Sequence, residues 1–214
     1  MLVLLILGSG AIGVFVFTSA KAPRPRSAPT PQLSPIPHGY RRRTDDIGRF
    51  QLAVPRSWEI LDPSSPGAQE YRSTMAVLGD GISLEQNGLT TPLGELDASA
   101  SRWFIARGPV DPSTGVRSFV VLQSVFAPLL GQNALSAVSA DAPFPDQLAK
   151  ARSATVSFGG TRALEYQAFV PVRGSASRAV AIRDVMAGHG RVYVLLRGGV
   201  PATVDTIGTT VHIN

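Results

Sequence analysis

The chain has 214 residues, 20 basic and 15 acidic side chains and no cysteine, which excludes disulfides, thiolate metal sites, a cysteine nucleophile and a lipid-modified N-terminal cysteine. Its charge of +5 is unevenly placed: residues 1–44 hold six basic residues (Lys21, Arg24, Arg26, Arg41, Arg42, Arg43) and no acidic one, leaving 14 basic and 15 acidic beyond them. A domain of net charge −1 lacks the basic face that phosphate contacts require, so nucleic acid is not an expected partner.

In chain order, an apolar run from Leu2 to Phe17 comes first. As a helix its 16 residues span about 24 Å, and Met1 with Thr18, Ser19 and Ala20 extends it towards the hydrocarbon thickness of about 30 Å. Residues 1–20 are therefore expected to be an uncleaved signal anchor, or a signal peptide if cleavage follows Ala20. Lys21, Arg24 and Arg26 just after the run favour a cytoplasmic domain, whereas the overall pattern of anchor and spacer favours an extracytoplasmic one, which is the expectation adopted. Gly8, Gly10 and Gly13 match the spacing of a dinucleotide fingerprint. The match is rejected because Pro23, Pro25, Pro29, Pro31, Pro35 and Pro37 occupy the space where the following helix and strand would lie, and proline removes the donors both need. Residues 21–46 read as a proline-rich, solvated spacer of polyproline type.

A domain is expected over residues 47–214, large enough to bury a core without staples. Phe50 to Val54 alternates at period two and is stopped by Pro55 before Trp58 to Leu61. Asp62 to Gly67 reads as a turn cluster. A helix is predicted after Thr91 and Pro92, with Leu93, Leu96, Ala100, Trp103 and Phe104 on one face. Val116 to Phe126 is rich in β-branched and aromatic residues and predicts a buried strand. Leu135 to Arg152 is weakly helical, interrupted by Pro143 and Pro145. Four strands follow, Thr155 to Phe158, Arg162 to Val170, Arg178 to Ala187 and Arg191 to Arg197. Short glycine-containing turns separate them, so neighbours must be antiparallel. Pro201 to Gly208 suits a short helix leading into Thr209 to Ile213. The fold class is α+β, an antiparallel β-sheet flanked by helices.

The opening Phe50-x-Leu52-x-Val54-Pro55-x-x-Trp58, the later Gly160-Thr161-Arg162-Ala163-Leu164-Glu165-Tyr166 and the closing Val192-Tyr193-Val194-Leu195 before a short helix resemble the PsbP-like fold. The chain is also similar to actinobacterial exported proteins of the LpqN type, and arginine outnumbering lysine 18 to 2 fits a GC-rich bacterial genome. The resemblance implies an α/β/α sandwich used as a noncatalytic binding or assembly factor at a membrane. LpqN-type proteins are lipoproteins, so without cysteine the anchoring would fall to residues 2–20.

For chemistry the sequence offers little. His38, His189 and His212 are scattered with no metal-binding spacing and read as ordinary exposed histidines. There is no Gly-x-Ser-x-Gly elbow. The carboxylates Glu59, Asp80, Glu85, Glu95, Asp97, Glu165 and Asp184 could meet only through the fold, and salt bridging is their expected role. Glu165 and Arg183, in neighbouring predicted strands, are an expected cross-sheet pair. Tyr71, Trp103 and Tyr193 are expected in the core, and any of them found outside it would be a candidate binding residue. No catalytic, cofactor-binding or metal residue and no cofactor is assigned. The expected partners are an envelope protein or a small apolar ligand held between sheet and helices, with a carboxylate hydrolase of cell-wall or lipid substrates as the alternative.

Overall fold

A computed structural model describes residues 35–79, 82–86, 89–95, 101–128, 135, 138–140, 152–171 and 178–214. The apolar run, its glycine fingerprint, most of the spacer, Asp80 and Asp97 lie outside the described residues, as does most of the weak helix predicted over 135–152. Among the described residues no helix is long and apolar enough to cross a membrane.

The elements are β1 (Tyr40–Asp45), β2 (Phe50–Pro55), β3 (Glu59–Leu61), α1 (Pro66–Gly79), β4 (Ile82–Gln86), β5 (Leu89–Pro92), a 3-10 turn (Leu93–Glu95), β6 (Arg102–Val110), β7 (Arg117–Phe126), β8 (Val138–Ala140), β9 (Arg152–Phe158), β10 (Thr161–Pro171), β11 (Arg178–Gly188), β12 (Arg191–Gly199), α2 (Pro201–Thr209) and β13 (His212–Ile213). A seven-stranded sheet in the order β3-β6-β7-β12-β11-β10-β9 forms the centre, with three-stranded sheets β1-β2-β13 and β5-β4-β8 beside it. All pairings among the described residues are antiparallel, as the short turns between β9 and β12 require.

Side chains of a strand alternate between faces, and both faces of β12 are covered, so all nine of its residues are buried. Val192, Val194 and Leu196 meet Ala68, Tyr71 and Met75 of α1 and Ile82 and Leu84 of β4 on one face. Tyr193 and Leu195 meet Phe50, Leu52 and Val54 of β2 with Ile207, Val211 and Ile213 on the other. Each fully buried Val, Leu or Ile contributes about 1.5–3 kcal/mol. The α+β sandwich is as expected in class, but each face carries a helix together with a small sheet.

The differences from the sequence reading have local causes. Tyr40–Asp45, read as spacer, forms β1 against β2. The turn-like Asp62–Gly67 is a helix start: Asp62 Oδ1 accepts from Ser64 N at 2.8 Å, Ala68 N donates to Ser65 O, and Pro66 opens α1, where its missing N–H is harmless. Among the described residues the helix predicted after Thr91 does not appear, and residues 96–100 lie outside them. Leu93 begins a 3-10 turn, and Trp103 and Phe104 are consecutive residues of β6 on opposite faces, packing with the α1 cluster and the β2 cluster respectively. Their helical spacing is outweighed by pairing with Gln123 and Leu122 of β7. The β8 fragment Val138–Ala140 is strand where helix was predicted.

Candidate functional site

Among the described residues, two clefts that flank the central sheet stand out. The first, of about 270 Å³, lies between α1, the 3-10 turn and strands β6 and β7. Met75, Leu93 and Trp103 supply apolar wall, and Gln69, Arg72 and Gln123 supply polar groups. The α1 spacing of Gln69, Arg72, Ser73 and Ala76 brings them to one helix face, beside the buried stripe Ala68, Tyr71 and Met75. Arg72 Nη1 donates to Pro63 O at 3.2 Å, and its guanidinium carbon sits 6.0 Å from the centroid of the Trp103 ring. Trp103 is only partly buried, so an aromatic face and a fixed cation border the same space.

The second, of about 420 Å³, is a groove between the β9–β10 hairpin and α2. Glu165 and Arg197 are in its lining, with Asp205 and Thr209 contributed by α2. Beneath it is an ionic cluster. Arg197 Nε and Nη2 donate to Asp184 Oδ2 at 3.1 and 2.8 Å, Nη2 also donates to Glu165 Oε2 at 3.2 Å, and Nη1 donates to the Val204 carbonyl of α2 at 3.2 Å. Gly208 makes this possible, because a Cβ there would collide with Arg197 Nη1. Asp184 is wholly buried, and burial pushes its carboxyl up to about 7, against the opposing pull of Arg197 and with the help of neighbouring Glu165.

Glu165 and Arg183 are not the pair expected. Register places Glu165 opposite Asp184 and Arg183 opposite Tyr166, on different faces of the sheet. Arg183 instead covers the Tyr166 ring, 4.9 Å from its centroid, and burial lowers its guanidinium to about 10. The partner that the sequence reading missed is Arg197, which lies opposite Ile182 and reaches Asp184 along the diagonal. An arginine closing the apolar run Val192 to Leu196 and followed by Gly198 and Gly199 was the available signal.

The other candidates are dispersed. Glu59 is exposed and bonds Arg107 at 2.8 Å, while Glu85 and Glu95 are exposed on β4 and the 3-10 turn. His38 is exposed, and His189 takes φ 53° in the turn between β11 and β12. His212 is buried, contrary to expectation; it packs against the β9–β10 turn, where a Gly159 Cβ would collide with its Nδ1. Burial, reinforced by Arg42, lowers its pKa. Tyr71 and Tyr193 are in the core as expected, and Trp103 is at the rim of the first cleft.

No family model matches the chain, and no curated protein matches it. Similar solved structures include the following two. One is the solution structure of cyanobacterial PsbP (CyanoP) from Synechocystis sp. PCC 6803, 11% identical, covering 82% of this chain and 93% of that one with a TM-score of 0.41. The other is the crystal structure of LpqN, involved in cell envelope biogenesis of Mycobacterium tuberculosis, 14% identical, covering 77% of this chain and 83% of that one with a TM-score of 0.37. The PsbP-like and LpqN-like resemblance read from the strand motifs is thus met again among solved structures.

Proposed function

We propose that this chain is a noncatalytic binding module of the cell envelope, tethered through residues 2–20 and spaced from the membrane by the proline-rich segment. Its ligand site is the cleft between α1 and the sheet. The observation that supports this reading is the pairing of an apolar wall, Met75, Leu93 and Trp103, with Gln69, Arg72 and Gln123 in one cleft. Such a cleft suits a small ligand with an apolar body and a polar or anionic end. Anilinonaphthalene sulfonate has that form and is the probe. It should bind the full chain saturably, and Trp103→Ala and Arg72→Ala should each weaken it at least about tenfold, the loss of one anchoring contact. Unchanged binding in both variants would remove the cleft from the account. Recovery of the intact chain wholly in the cytosolic fraction would remove the envelope.

The hydrolase reading gains one observation, the meeting of Glu165 and Asp184. It is the weaker reading because a carboxylate pair must flank the scissile bond from two sides at about 5–10 Å. The Asp184 side chain has 0% exposure, against 21% for Glu165, so only one of the two reaches the groove.

A further inference from the structure

Tyr193 of β12 is wholly buried, yet its hydroxyl has no hydrogen-bond partner among the described residues. A buried polar atom left unpaired calls for a water, an ion or a ligand. Its surroundings favour a negative one. Arg191 stands two residues earlier on the same strand and therefore on the same face. Register places Phe126 opposite Arg191, Ser124 opposite Tyr193 and Arg102 opposite Ser124, which gathers two arginines at one end of the sheet. The β1–β2 turn closes over this end: Ser124 Oγ donates to Gly48 O at 3.1 Å, and the next residue, the exposed Arg49, adds a third guanidinium.

Among the described residues none of Arg49, Arg102 and Arg191 has a carboxylate partner; Asp45 of the same turn accepts from Gly48 N. Arg191 is only 8% exposed, and a cation so deeply buried is ordinarily paired. Its Nη1 donates to Ser124 Oγ at 3.1 Å and its guanidinium carbon lies 5.6 Å from the Phe126 ring centroid, which leaves its other N–H groups unspent. Arg49 takes φ 55°, a conformation that glycine or asparagine adopts at lower cost, so the backbone gives no reason for an arginine there. We propose that Arg49, Arg191 and the Tyr193 hydroxyl bind one phosphate-type oxyanion, with Arg102 at its outer edge. The guanidinium forks match oxyanion edges. Burial pushes the Tyr193 hydroxyl up to about 12 against the pull of Arg191 and Arg49, which both act on this one oxygen, so it stays a donor at neutral pH. Free phosphate and a lipid headgroup offer the same chemistry. Ile47 on the turn and Phe126 at the end of β7 are exposed apolar residues beside the arginines, a rim over which the chains of a lipid would leave. The site is separate from the cleft beneath α1, which lies on the opposite face of the sheet.

Arginine side-chain nitrogen NMR of the full chain in uncharged detergent tests this, with inorganic phosphate and dihexanoyl phosphatidic acid titrated separately at constant ionic strength. The Arg49 and Arg191 Nε signals should shift saturably with each. Tyr193→Phe removes only the hydroxyl. It should weaken phosphate at least about tenfold, the loss of one charged hydrogen bond, with no loss of stability in urea. Arg49→Gln, a change at an exposed residue, should weaken phosphate to a similar degree. Tighter binding of the lipid than of phosphate, lost in Ile47→Ser, would assign the site to a headgroup; equal affinities would assign it to free phosphate. A shift at Arg72 alone, no saturable shift at Arg49 and Arg191, or a phosphate affinity unchanged in Tyr193→Phe would show that the hydroxyl holds no oxyanion and overturn the proposal.

Discussion

Replacing Gly208 by alanine opposes two effects of known size. Gly208 is in helix α2, and alanine there is favoured over glycine by at most about 1 kcal/mol. The added Cβ, however, meets Arg197 Nη1. The guanidinium must leave the Val204 carbonyl, losing a charged hydrogen bond of about 1.5–3 kcal/mol and exposing a buried acceptor without its donor. Its two bonds to Asp184 shift with it. The net effect is a loss of about 2 kcal/mol, or roughly 4–8 °C in Tm for a domain of this size. Gly67→Ala is the control, because Gly67 is also helical and nothing lies within 4 Å of its would-be Cβ; it should be neutral or stabilising by up to about 1 kcal/mol. Urea denaturation of the two variants measures both. Gly208→Ala as stable as Gly67→Ala would show that Arg197 does not clasp α2.

The raised carboxyl of Asp184 makes stability depend on pH. Its folded value of about 7 against an ordinary 3.8 corresponds to ~4 kcal/mol, fully present below about pH 4 and lost as pH rises through 7. Denaturation at a series of pH values should show that decline, and Asp184→Asn should flatten it; a slope unchanged in the variant would place the effect elsewhere. Gly159→Ala meets both a φ of 57° and the His212 ring, whereas Gly160→Ala meets a φ of 92° with nothing within 4 Å. Thermal unfolding should find Gly160→Ala costing about 1 kcal/mol and Gly159→Ala at least about twice that; equal losses would show that His212 is not packed there. Filling the first cleft with Ala76→Trp should compete with anilinonaphthalene sulfonate, and fluorescence titration should show lower affinity with no loss of folded signal; unaltered affinity would place the probe elsewhere.

What could be read from residues alone followed the range of the interactions involved. Strands β9 to β12 were legible because Gly159-Gly160 and Gly188-His189-Gly190 mark tight turns between apolar runs, and tight turns permit only antiparallel neighbours. Helix α2 was legible from Pro201. Helix α1 was hidden by Asp62-Pro63-Ser64-Ser65-Pro66-Gly67, whose residues serve a turn and a helix start equally well. Trp103 and Phe104 matched a helical stripe, and only their partners on β7, Gln123 and Leu122, decide that they point to opposite faces. The first cleft was anticipated as a space between sheet and helix but, apart from Trp103 as a conditional candidate, not in its residues, because Arg72 and Trp103 are brought together by packing across 31 positions of sequence. The meeting of Glu165, Asp184 and Arg197 depends on register across three strands, and a shift of one residue would send each side chain to the other face.

The central claim is that the cleft beneath α1 holds a ligand in the cell envelope. Native mass spectrometry of the full chain, released gently from the membrane fraction of its own cells, tests it most directly. The account predicts a discrete added mass on the wild-type chain that is missing from Trp103→Ala. A bare wild-type chain, or an adduct equally present on the variant, would contradict it.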